Sequence, residues 1–304
     1  MNPSFIAESR LMRFFRAIGC ESIAWSLRRL HCPVDSNALV LEVGSGGNPY
    51  YRANVLLDAF EDTRERHWVP LVSDRPTVLG FVENLPFRDK VFDFVIASHV
   101  LEHSSDPSRF LGELQRVAKA GYIEVPDAFM ERVNPYLDHR LEITVRDGRL
   151  VIRKKKAWRV DTELVELYKN RAKAVVTSDT IPRHPFAFHV RYYWRDHIDY
   201  VVVNPEKDAC WQAPVSHDRR PHDAGLKQTL KISILAFLRT LLSQRRRNRA
   251  LDLYSLLACP VCGSDELAKS ADVITCNKCA TTYAVRNGIP VMYSSELHHN
   301  KGSS

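Results

Sequence analysis

The chain has 304 residues, of which 45% are hydrophobic and 26% are charged, a mixture typical of folded globular proteins. Its longest apolar stretch, residues 232–242, is interrupted by polar side chains and is too short to span a bilayer. The N-terminus lacks the pattern of a secretory signal. We therefore expect a cytoplasmic protein with more than one domain.

The positive charge lies in one segment of the chain. There are 43 basic and 36 acidic residues, a net charge of +7, and residues 226–250 hold seven basic residues and no acidic one. The remainder is therefore balanced, with 36 residues of each sign. This distribution does not favour a large nucleic-acid-binding surface, and any anionic partner should contact residues 226–250.

Short apolar runs predict five strands, at residues 38–43, 55–57, 77–81, 92–97 and 121–125. A helix is predicted over residues 107–117, where Asp106 can cap it and Pro107 takes the first helical position. Strands that alternate with helices predict an α/β fold with a mostly parallel, doubly wound sheet.

The composition divides the chain into five segments. A helical segment, 1–36, precedes a domain at 37–204 that carries an antiparallel or mixed insertion at 127–204, where Asp147-Gly148 is a hairpin signal. Residues 205–225 form a polar linker with three prolines. A basic amphipathic helix, 226–250, and a cysteine-containing module, 251–296, complete the chain.

A glycine-rich turn follows the first strand, in the order Glu42-Val43-Gly44-Ser45-Gly46-Gly47-Asn48. Glycines at such a turn permit positive φ and a close approach of the backbone to a ligand. Pro49 stands where a dinucleotide fingerprint needs its third glycine, and the Gly-Lys-Ser/Thr of a P-loop is missing. The turn therefore predicts a nucleoside site that holds no pyrophosphate.

The motifs over residues 38–126 resemble the type 11 branch of the class I S-adenosylmethionine-dependent methyltransferases. The turn after Glu42 resembles the first motif of that family, and Asp58 looks like the carboxylate that binds the ribose. Residues 83–87 and 92–103 resemble the adenine loop and the fourth strand. The resemblance implies a Rossmann-like sheet and S-adenosylmethionine as cofactor. The residues it assigns to cofactor binding are Glu42, Gly44, Ser45, Gly46, Asn48, Asp58, Val82, Glu83 and Ser98.

Three residues are candidates for the catalytic site. Methyl transfer is an in-line displacement that depends mainly on alignment, and a base is needed only if the acceptor must lose a proton. His99 can titrate near neutrality and either lines the site or packs structurally. Glu124 either faces the acceptor or is salt-bridged, and Arg140 either binds an anionic acceptor or lies at the surface. Glu102 and His103 are expected to be structural.

The stretch 184–200 is rich in aromatic residues and histidines. Such a stretch could stack sugars or nucleobases, or it could form an ordinary strand with one buried face. Both interpretations stay open from the sequence.

Four of the seven cysteines, Cys259, Cys262, Cys276 and Cys279, form two Cys-x-x-Cys pairs. This spacing is typical of a closed tetrahedral zinc site, in which the metal supports folding because no position is left for water. The module resembles the small zinc-ribbon family that activates tRNA and protein methyltransferases as a separate subunit. The resemblance implies a C-terminal zinc ribbon fused to the first domain.

The helix predicted at 226–247 combines a broad apolar face with basic residues at four-residue steps. Such a helix can lie on an anionic membrane, contact a phosphate backbone, or pack its apolar face on its own protein. Peripheral membrane contact through residues 226–249 is therefore one expectation, and a nucleic-acid partner is not favoured.

Together these features predict an S-adenosylmethionine-dependent methyltransferase whose acceptor is a small molecule, a sugar or a lipid-linked precursor. One alternative is a methyltransferase of RNA or protein with a built-in activator ribbon. Another is a non-catalytic methyltransferase-like scaffold. It is suggested by Phe81, where the family has an aspartate, and by the short connection between the first two strands, 46–54.

Overall fold

The computed structural model describes residues 7–61, 63, 69–212 and 226–293. The chain divides into two compact units: unit 1 is Met1–Asp35, Ala97–Leu111 and Ala120–Pro214, and unit 2 is Ser36–Ile96, Gly112–Lys119 and Val215–Ser304. The predicted α/β fold with a mostly parallel central sheet is confirmed. Most of the predicted linker, from residue 213 on, and the last residues assigned to the ribbon, 294–296, lie outside the described residues.

Unit 2 contains neighbouring strands in the order β3-β2-β1-β4. Their bounds are β1 Val40–Val43, β2 Val55–Asp58, β3 Thr77–Leu79 and β4 Phe94–Ser98, the last two residues of β4 belonging to unit 1. β1 and β2 pair in parallel, as do β2 and β3, and every residue of these three strands is buried. Strand β3 ends two residues earlier than predicted, because the chain turns at Gly80 into a 3₁₀ helix, Val82–Asn84.

The connection between β1 and β2 contains no helix, as its length predicts. A short helix from the C-terminal part of unit 2, α9 (Arg245–Ala250), packs beside this connection. The Asn54 amide donates to Asn248 Oδ1 at 2.8 Å, and Arg247 donates to the carbonyls of residues 36–38 at 2.6 to 2.9 Å. These hydrogen bonds attach α9 to the sheet where the chain between the two strands provides no covering helix.

The basic segment is not one helix to residue 247, as predicted, because helix α8 ends at Leu242 (Leu226–Leu242) before α9 begins. Internal packing, one of the alternatives for its apolar face, holds only for part of the described side chains, since Leu235 and Leu238 are half-buried. Four apolar side chains are 48 to 63% exposed, namely Ile234, Phe237, Leu241 and Leu242. Arg239, in contrast, is 8% exposed and lies 3.3 Å from Asp74. No helix within the described ranges is long and apolar enough to cross a membrane.

The cysteine-containing module folds as a four-stranded antiparallel sheet. Its strands are β10 Leu267–Lys269, β11 Val273–Cys276, β12 Thr282–Arg286 and β13 Ile289–Pro290. Asn287 and Gly288, both with positive φ, form the turn between the last two strands. Beyond β13, Val291 forms a parallel bridge with Leu79, and the Met292 N–H donates to the Leu79 carbonyl at 2.7 Å. The module therefore covers the β3 edge of the sheet within unit 2.

Unit 1 contains helices α1 (Arg10–Ala17) and α2 (Glu21–Leu27) and an antiparallel pair of long strands. β5 (Ala120–Pro126) pairs with β8 (His189–Arg195) over seven residues, next to the end of β4. A separate mixed sheet has the order β6-β7-β9, with β6 Leu141–Arg146, β7 Arg149–Lys154 and β9 Tyr200–Val202. The predicted hairpin turn at Asp147-Gly148 is confirmed, since both residues have positive φ.

The remaining helices connect these strands. α3 spans Pro107–Val117, the predicted bounds, and Asp106 Oδ1 accepts from the Arg109 N–H at 3.0 Å, as expected for a capping residue. Helix α4 is Ala128–Val133. The segment before β8 alternates three short α-helical pieces with two π-helical turns: α5 Thr162–Leu167, π Tyr168–Ala172, α6 Lys173–Val175, π Val176–Thr180 and α7 Ile181–Arg183.

Candidate functional site

The glycine-rich turn of unit 2 is held by two buried carboxylates. Gly44 and Gly46 have φ angles of 63° and 57°, which favour glycine. Asp58 Oδ2 accepts from the Gly46 N–H at 2.9 Å, and Glu42 Oε2 accepts from the Tyr50 N–H at 2.7 Å. These two hydrogen bonds hold the shape of the turn. Because a carboxylate can accept several hydrogen bonds, Asp58 could also accept from the hydroxyls of a ribose.

Ser45 and Gly47 test whether a cofactor fits this turn. The Ser45 hydroxyl is buried and makes no hydrogen bond within the described ranges, as expected where a ligand group completes the site. A Cβ on Gly47 would lie 2.3 Å from Val69 Cγ1, so this glycine accommodates the protein's own chain rather than a ligand. The turn therefore fits a cofactor at residues 44–46 and is covered at Gly47. Asn48 is half-buried beside it.

Phe81, which replaces the family's aspartate, belongs to an aromatic cluster. Its ring centroid lies 5.8 Å from that of Phe60 and 5.1 Å from that of Tyr293, and its side chain is 8% exposed. Val82 is buried and Glu83 half-buried in the 3₁₀ helix that follows. No local pattern predicts the contact with Tyr293, since the two residues are over 200 positions apart.

Unit 1 contains a hydrogen-bonded cluster around Glu124, which we call the Glu124 cluster. Its members are Arg28, Ser98, His99, Tyr122 and Glu124. Arg28 binds both carboxylate oxygens, from Nε at 2.8 Å and from Nη2 at 3.0 Å, and the Ser98 hydroxyl donates to Oε1 at 3.0 Å. The Tyr122 hydroxyl donates to Oε2. Burial raises the pKa of Glu124, but bonds from His99 and Arg28 outweigh it and hold the pKa well below its usual value.

His99 lies between two carboxylates in a left-handed backbone conformation, with φ at 58°. Its Nε2 is 3.4 Å from Glu124 Oε1, and its Nδ1 is 3.5 Å from Glu102 Oε1. Burial lowers the pKa of His99, but the two carboxylates outweigh it and raise the pKa to about 9. The expectation that His99 titrates near neutrality is therefore wrong. At neutral pH its imidazolium is a hydrogen-bond donor and not a base.

The structure does not place the Arg140 guanidinium in the Glu124 cluster. It donates to the backbone carbonyls of Ala209 and Trp211 at 2.7 and 2.6 Å, so this side chain holds the irregular segment that follows β9. Ser98, assigned by resemblance to the cofactor, donates to Glu124. Sequence reasoning missed Arg28, because its partner lies 96 residues away and no local pattern marks it.

A cavity of about 1040 Å³ lies in unit 1. Aromatic rings of β8 and of the turn before it line this cavity, among them Phe186, Tyr192 and Tyr193. Its lining also carries four arginines and four acidic side chains, which balance in charge. Val190 and Trp194 of the same strand are buried, so the interpretation of stretch 184–200 as a strand with one buried face is confirmed.

The four cysteine sulfurs of unit 2 come together, each within 4.8 Å of the others. The pairs Cys259–Cys279 and Cys262–Cys276 have Sγ–Sγ distances of 3.6 Å, far too long for a disulfide and close to the separation of about 3.8 Å for thiolates on one tetrahedral ion. The Tyr283 hydroxyl lies 3.0 Å from Cys259 Sγ, and the Thr281 hydroxyl lies 3.1 Å from Cys279 Sγ. The cluster is therefore a candidate metal site whose sulfurs have polar neighbours.

Comparison with known proteins gives one family match. The type 11 family described as "Methyltransferase domain" matches residues 41–123, from β1 into β5. A search of curated proteins found no match.

Solved structures give remote likenesses. An S-adenosylmethionine-dependent methyltransferase from Thermotoga maritima is 21% identical over 38% of this chain and 55% of its own, with a TM-score of 0.27. A chain of the complex between the Haloferax volcanii Trm112 methyltransferase activator and a methyltransferase is 18% identical over 44% of this chain and 77% of its own, with a TM-score of 0.28. An S-adenosylmethionine-dependent methyltransferase from Mesorhizobium loti is 11% identical over 57% and 97%, with a TM-score of 0.32.

The family match contains the glycine-rich turn, Asp58, His99 and the end of β4. Residues 41–123 therefore resemble a methyltransferase domain, and this match supports an S-adenosylmethionine-dependent methyltransferase.

Proposed function

We propose that this protein transfers a methyl group from S-adenosylmethionine to a small polar acceptor of the sugar or lipid-linked class. The observation that carries the acceptor class is the cavity in unit 1, which combines aromatic faces with a charge-balanced lining. Aromatic faces suit the apolar faces of sugar rings, and charged groups of both signs suit hydroxyls. A nucleic-acid acceptor would need an excess of positive charge, which this lining lacks.

The cofactor would be held in unit 2 by Glu42, Gly44, Ser45, Gly46, Asn48, Asp58, Val82 and Glu83. S-adenosylmethionine supplies an electrophilic methyl group when bound. Asp58 would accept hydrogen bonds from ribose hydroxyls, and Ser45 offers a hydroxyl that has no partner within the described ranges. Ser98 belongs instead to the Glu124 cluster.

The Glu124 cluster is proposed to orient the acceptor. Both ring nitrogens of His99 lie near carboxylates, so its 41% exposed ring would contact the acceptor as a positively charged surface held in place by Glu102 and Glu124. Glu124 is fully buried and anchors the cluster through Arg28. Alignment rather than proton abstraction is thus the contribution we assign to these residues.

The cysteine cluster is proposed to bind one structural zinc ion. Four thiolates close the coordination sphere, so the ion stabilises the ribbon without taking part in the reaction. A second candidate function is methylation of RNA or protein, with the ribbon acting as a built-in activator. The observation that favours it is that the ribbon pairs with β3 and covers that edge of the sheet within unit 2.

Labelling identifies the acceptor class. Purified protein is incubated with methyl-labelled S-adenosylmethionine and cell extract, which is then separated into small-molecule, lipid, RNA and protein fractions. We expect label in the small-molecule or lipid fraction. Val145→Trp, which fills the cavity from a 39% exposed position, should reduce labelling and leave cofactor affinity unchanged. Val203→Trp, at 43% exposure and absent from the cavity lining, is the matched control. Label confined to RNA or protein would contradict the proposed acceptor.

Asp58→Ala should weaken S-adenosylmethionine binding by about 1 to 3 kcal/mol, the scale of a lost hydrogen bond to a charged group. Calorimetry on the full chain measures this loss. Asp58→Asn should have a smaller effect, because its side-chain oxygen can still accept from Gly46. Asp89→Ala, which removes a 76% exposed carboxylate of the same unit, should have no effect. If folded wild-type protein binds neither the cofactor nor its demethylated product, the scaffold alternative is favoured instead.

We also propose that α8 and α9 contact an anionic membrane surface. The exposed apolar side chains of α8 are followed by the exposed arginines Arg245, Arg246 and Arg249 of α9. This combination suits insertion of apolar groups between acyl chains while the arginines meet lipid phosphates.

The membrane contact predicts sedimentation with vesicles of phosphatidylserine and phosphatidylcholine, and a steep loss of binding with salt. Changing the three exposed arginines to glutamine should cost about 1 kcal/mol of binding for each charge. Arg247 is excluded because its guanidinium holds carbonyls of the unit. Leu241→Asp should abolish binding and change unfolding by less than about 0.5 kcal/mol, because Leu241 is 63% exposed. Val273→Asp in the ribbon serves as control, and absence of binding at low salt would disprove the contact.

A further inference from the structure

Unit 1 contains a second group of side chains with the chemistry of metal ligands, apart from the cysteine cluster. Glu102 and His103 belong to the 3₁₀ helix Leu101–His103 after β4, and His139 lies just before β6. One ligand atom from each residue lies within 4.8 Å of the others. Glu102 is 2% exposed, His139 is 8% exposed and His103 is half-buried, so the group lies at the edge of the buried interior.

The Glu102 carboxylate is the most unusual member of this group. Both of its oxygens are buried, and neither makes a hydrogen bond within the part of the chain that the structure describes. His99 Nδ1 lies 3.5 Å from Oε1, at the limit of such a bond. A buried carboxylate without hydrogen bonds is costly, and buried charges in proteins are normally paired or coordinate a metal. The His99 imidazolium is thus one cationic neighbour of Glu102, and both carboxylate oxygens keep the capacity to coordinate a further cation.

The two imidazoles are oriented as metal ligands usually are. His139 Nδ1 lies 2.8 Å from Glu131 Oε2, and Glu131 is itself held by Lys155 Nζ at 2.6 Å. His103 Nδ1 lies 3.2 Å from the Asp138 carbonyl. When Nδ1–H donates to such an acceptor, the lone pair is on Nε2, which is then available to a metal. Each imidazole thus has the orienting partner that metal-binding histidines typically have.

The ring geometry also suits one shared ion. The His103 and His139 ring centroids are 4.9 Å apart with an interplanar angle of 88°. Two imidazoles that bind one tetrahedral ion through nitrogens at about 2.1 Å have centroids roughly 5 Å apart. Neighbouring ligand atoms on such an ion are about 3 to 3.5 Å apart, so small side-chain rotations would close the site.

We propose that Glu102, His103 and His139 bind a divalent transition-metal ion. Two imidazoles and one carboxylate favour zinc, iron, cobalt or nickel over magnesium or calcium, which prefer oxygen ligands alone. Three protein ligands leave at least one coordination position for water or for a ligand oxygen. The site is independent of the cysteine cluster and of the acceptor class proposed above.

Cobalt(II) titration of the full chain, stripped of metal with a chelator, tests the proposal. We expect two equivalents to bind. One gives the intense near-ultraviolet absorption of cobalt–thiolate bonds, and the other gives only the weak visible bands of nitrogen and oxygen ligation. His139→Ala and Glu102→Gln should remove the second equivalent and leave the thiolate signal intact. Cys262→Ser should remove the thiolate signal and leave the second equivalent.

Glu131→Gln separates a ligand-orienting role from general packing. It keeps the size of the side chain, and we expect it to lower the affinity of the second site 10- to 100-fold without removing it. His184→Ala, which changes a 58% exposed histidine of unit 1, is the matched control and should alter neither site. Wild-type protein that binds a single equivalent, all of it through thiolates, would overturn the proposal even if the variants fail to fold. A second equivalent retained in both His139→Ala and Glu102→Gln would overturn it as well.

Discussion

Removal of zinc from the proposed Cys259–Cys279 site is expected to unfold the ribbon, residues 259–293. Zinc binding to such thiolate sites is worth about 10 to 16 kcal/mol near neutral pH, and the ribbon has few buried side chains to replace it. Cys262→Ser should have the same effect, because a closed site loses one of its four ligands. Elemental analysis measures the zinc, and limited proteolysis within residues 259–293 measures the unfolding. Cys210→Ser, which changes an exposed cysteine outside the cluster, is the control.

The effect of zinc loss should extend beyond the ribbon. Met292 and Tyr293 contact Leu79 and Phe81 at the end of β3, and the Ala258 N–H donates to the Pro86 carbonyl at 3.0 Å. Val82 and Glu83, which we propose to hold the cofactor, follow Phe81 directly in the chain. We therefore expect zinc loss to weaken S-adenosylmethionine binding. If the ribbon unfolds and the cofactor affinity does not change, these contacts do not position the residues proposed to bind the cofactor, Val82 and Glu83. Freshly purified protein without zinc or iron would contradict the metal site itself.

Arg28→Met should destabilise the protein by about 3 to 5 kcal/mol, the second largest effect that we predict. Arg28 makes a two-pronged salt bridge to Glu124, whose side chain is fully buried. Loss of the guanidinium removes both charge-assisted hydrogen bonds from Arg28, and His99, 3.4 Å away, and the more distant Arg191 do not replace them. Urea unfolding measures the change. The double variant Arg28→Met with Glu124→Gln should be more stable than Arg28→Met alone, because no unpaired buried charge remains.

The same pair predicts a pH dependence. The folded-state pKa of Glu124 lies well below its unfolded value, so its contribution to stability is full above the unfolded pKa of about 4.3 and is lost as the pH falls through the folded value. Wild-type stability should therefore fall on acidification below about pH 5, and this dependence should be weaker in Glu124→Gln. Equal acid sensitivity of the two proteins would show that other carboxylates control the effect.

Local signals in the sequence predicted much of the fold. The bounds of α3 follow from a capping aspartate, a first-turn proline and an apolar face, all within a dozen residues. The hairpin at Asp147-Gly148 depends only on two residues that tolerate positive φ. The observed strand ends differ from the predicted ones by one or two residues. Strand β3, for example, ends at Leu79 because the chain turns at Gly80.

The candidate site was predictable only in part. The glycine-rich turn and Asp58 are adjacent to their strands, so the sequence places them correctly at the strand ends, whereas their roles in cofactor binding remain predictions. The partner of Glu124 was left open because a salt bridge across 96 residues has no local pattern. The ionisation of His99 was mispredicted for a related reason: its pKa depends on two carboxylates that only the fold brings to its ring.

The sequence by itself determined the α/β class, the order of the strands along the chain, the cysteine spacing and the concentration of positive charge, since each depends on neighbouring residues. Only the tertiary structure decided which groups are buried together. It placed Arg28 on Glu124, grouped Glu102 with His103 and His139, and attached the ribbon to β3. It also exposed the apolar face of α8 and buried Arg239. Burial and pairing are properties of contacts between distant residues, and their energies are fixed when those residues leave water together.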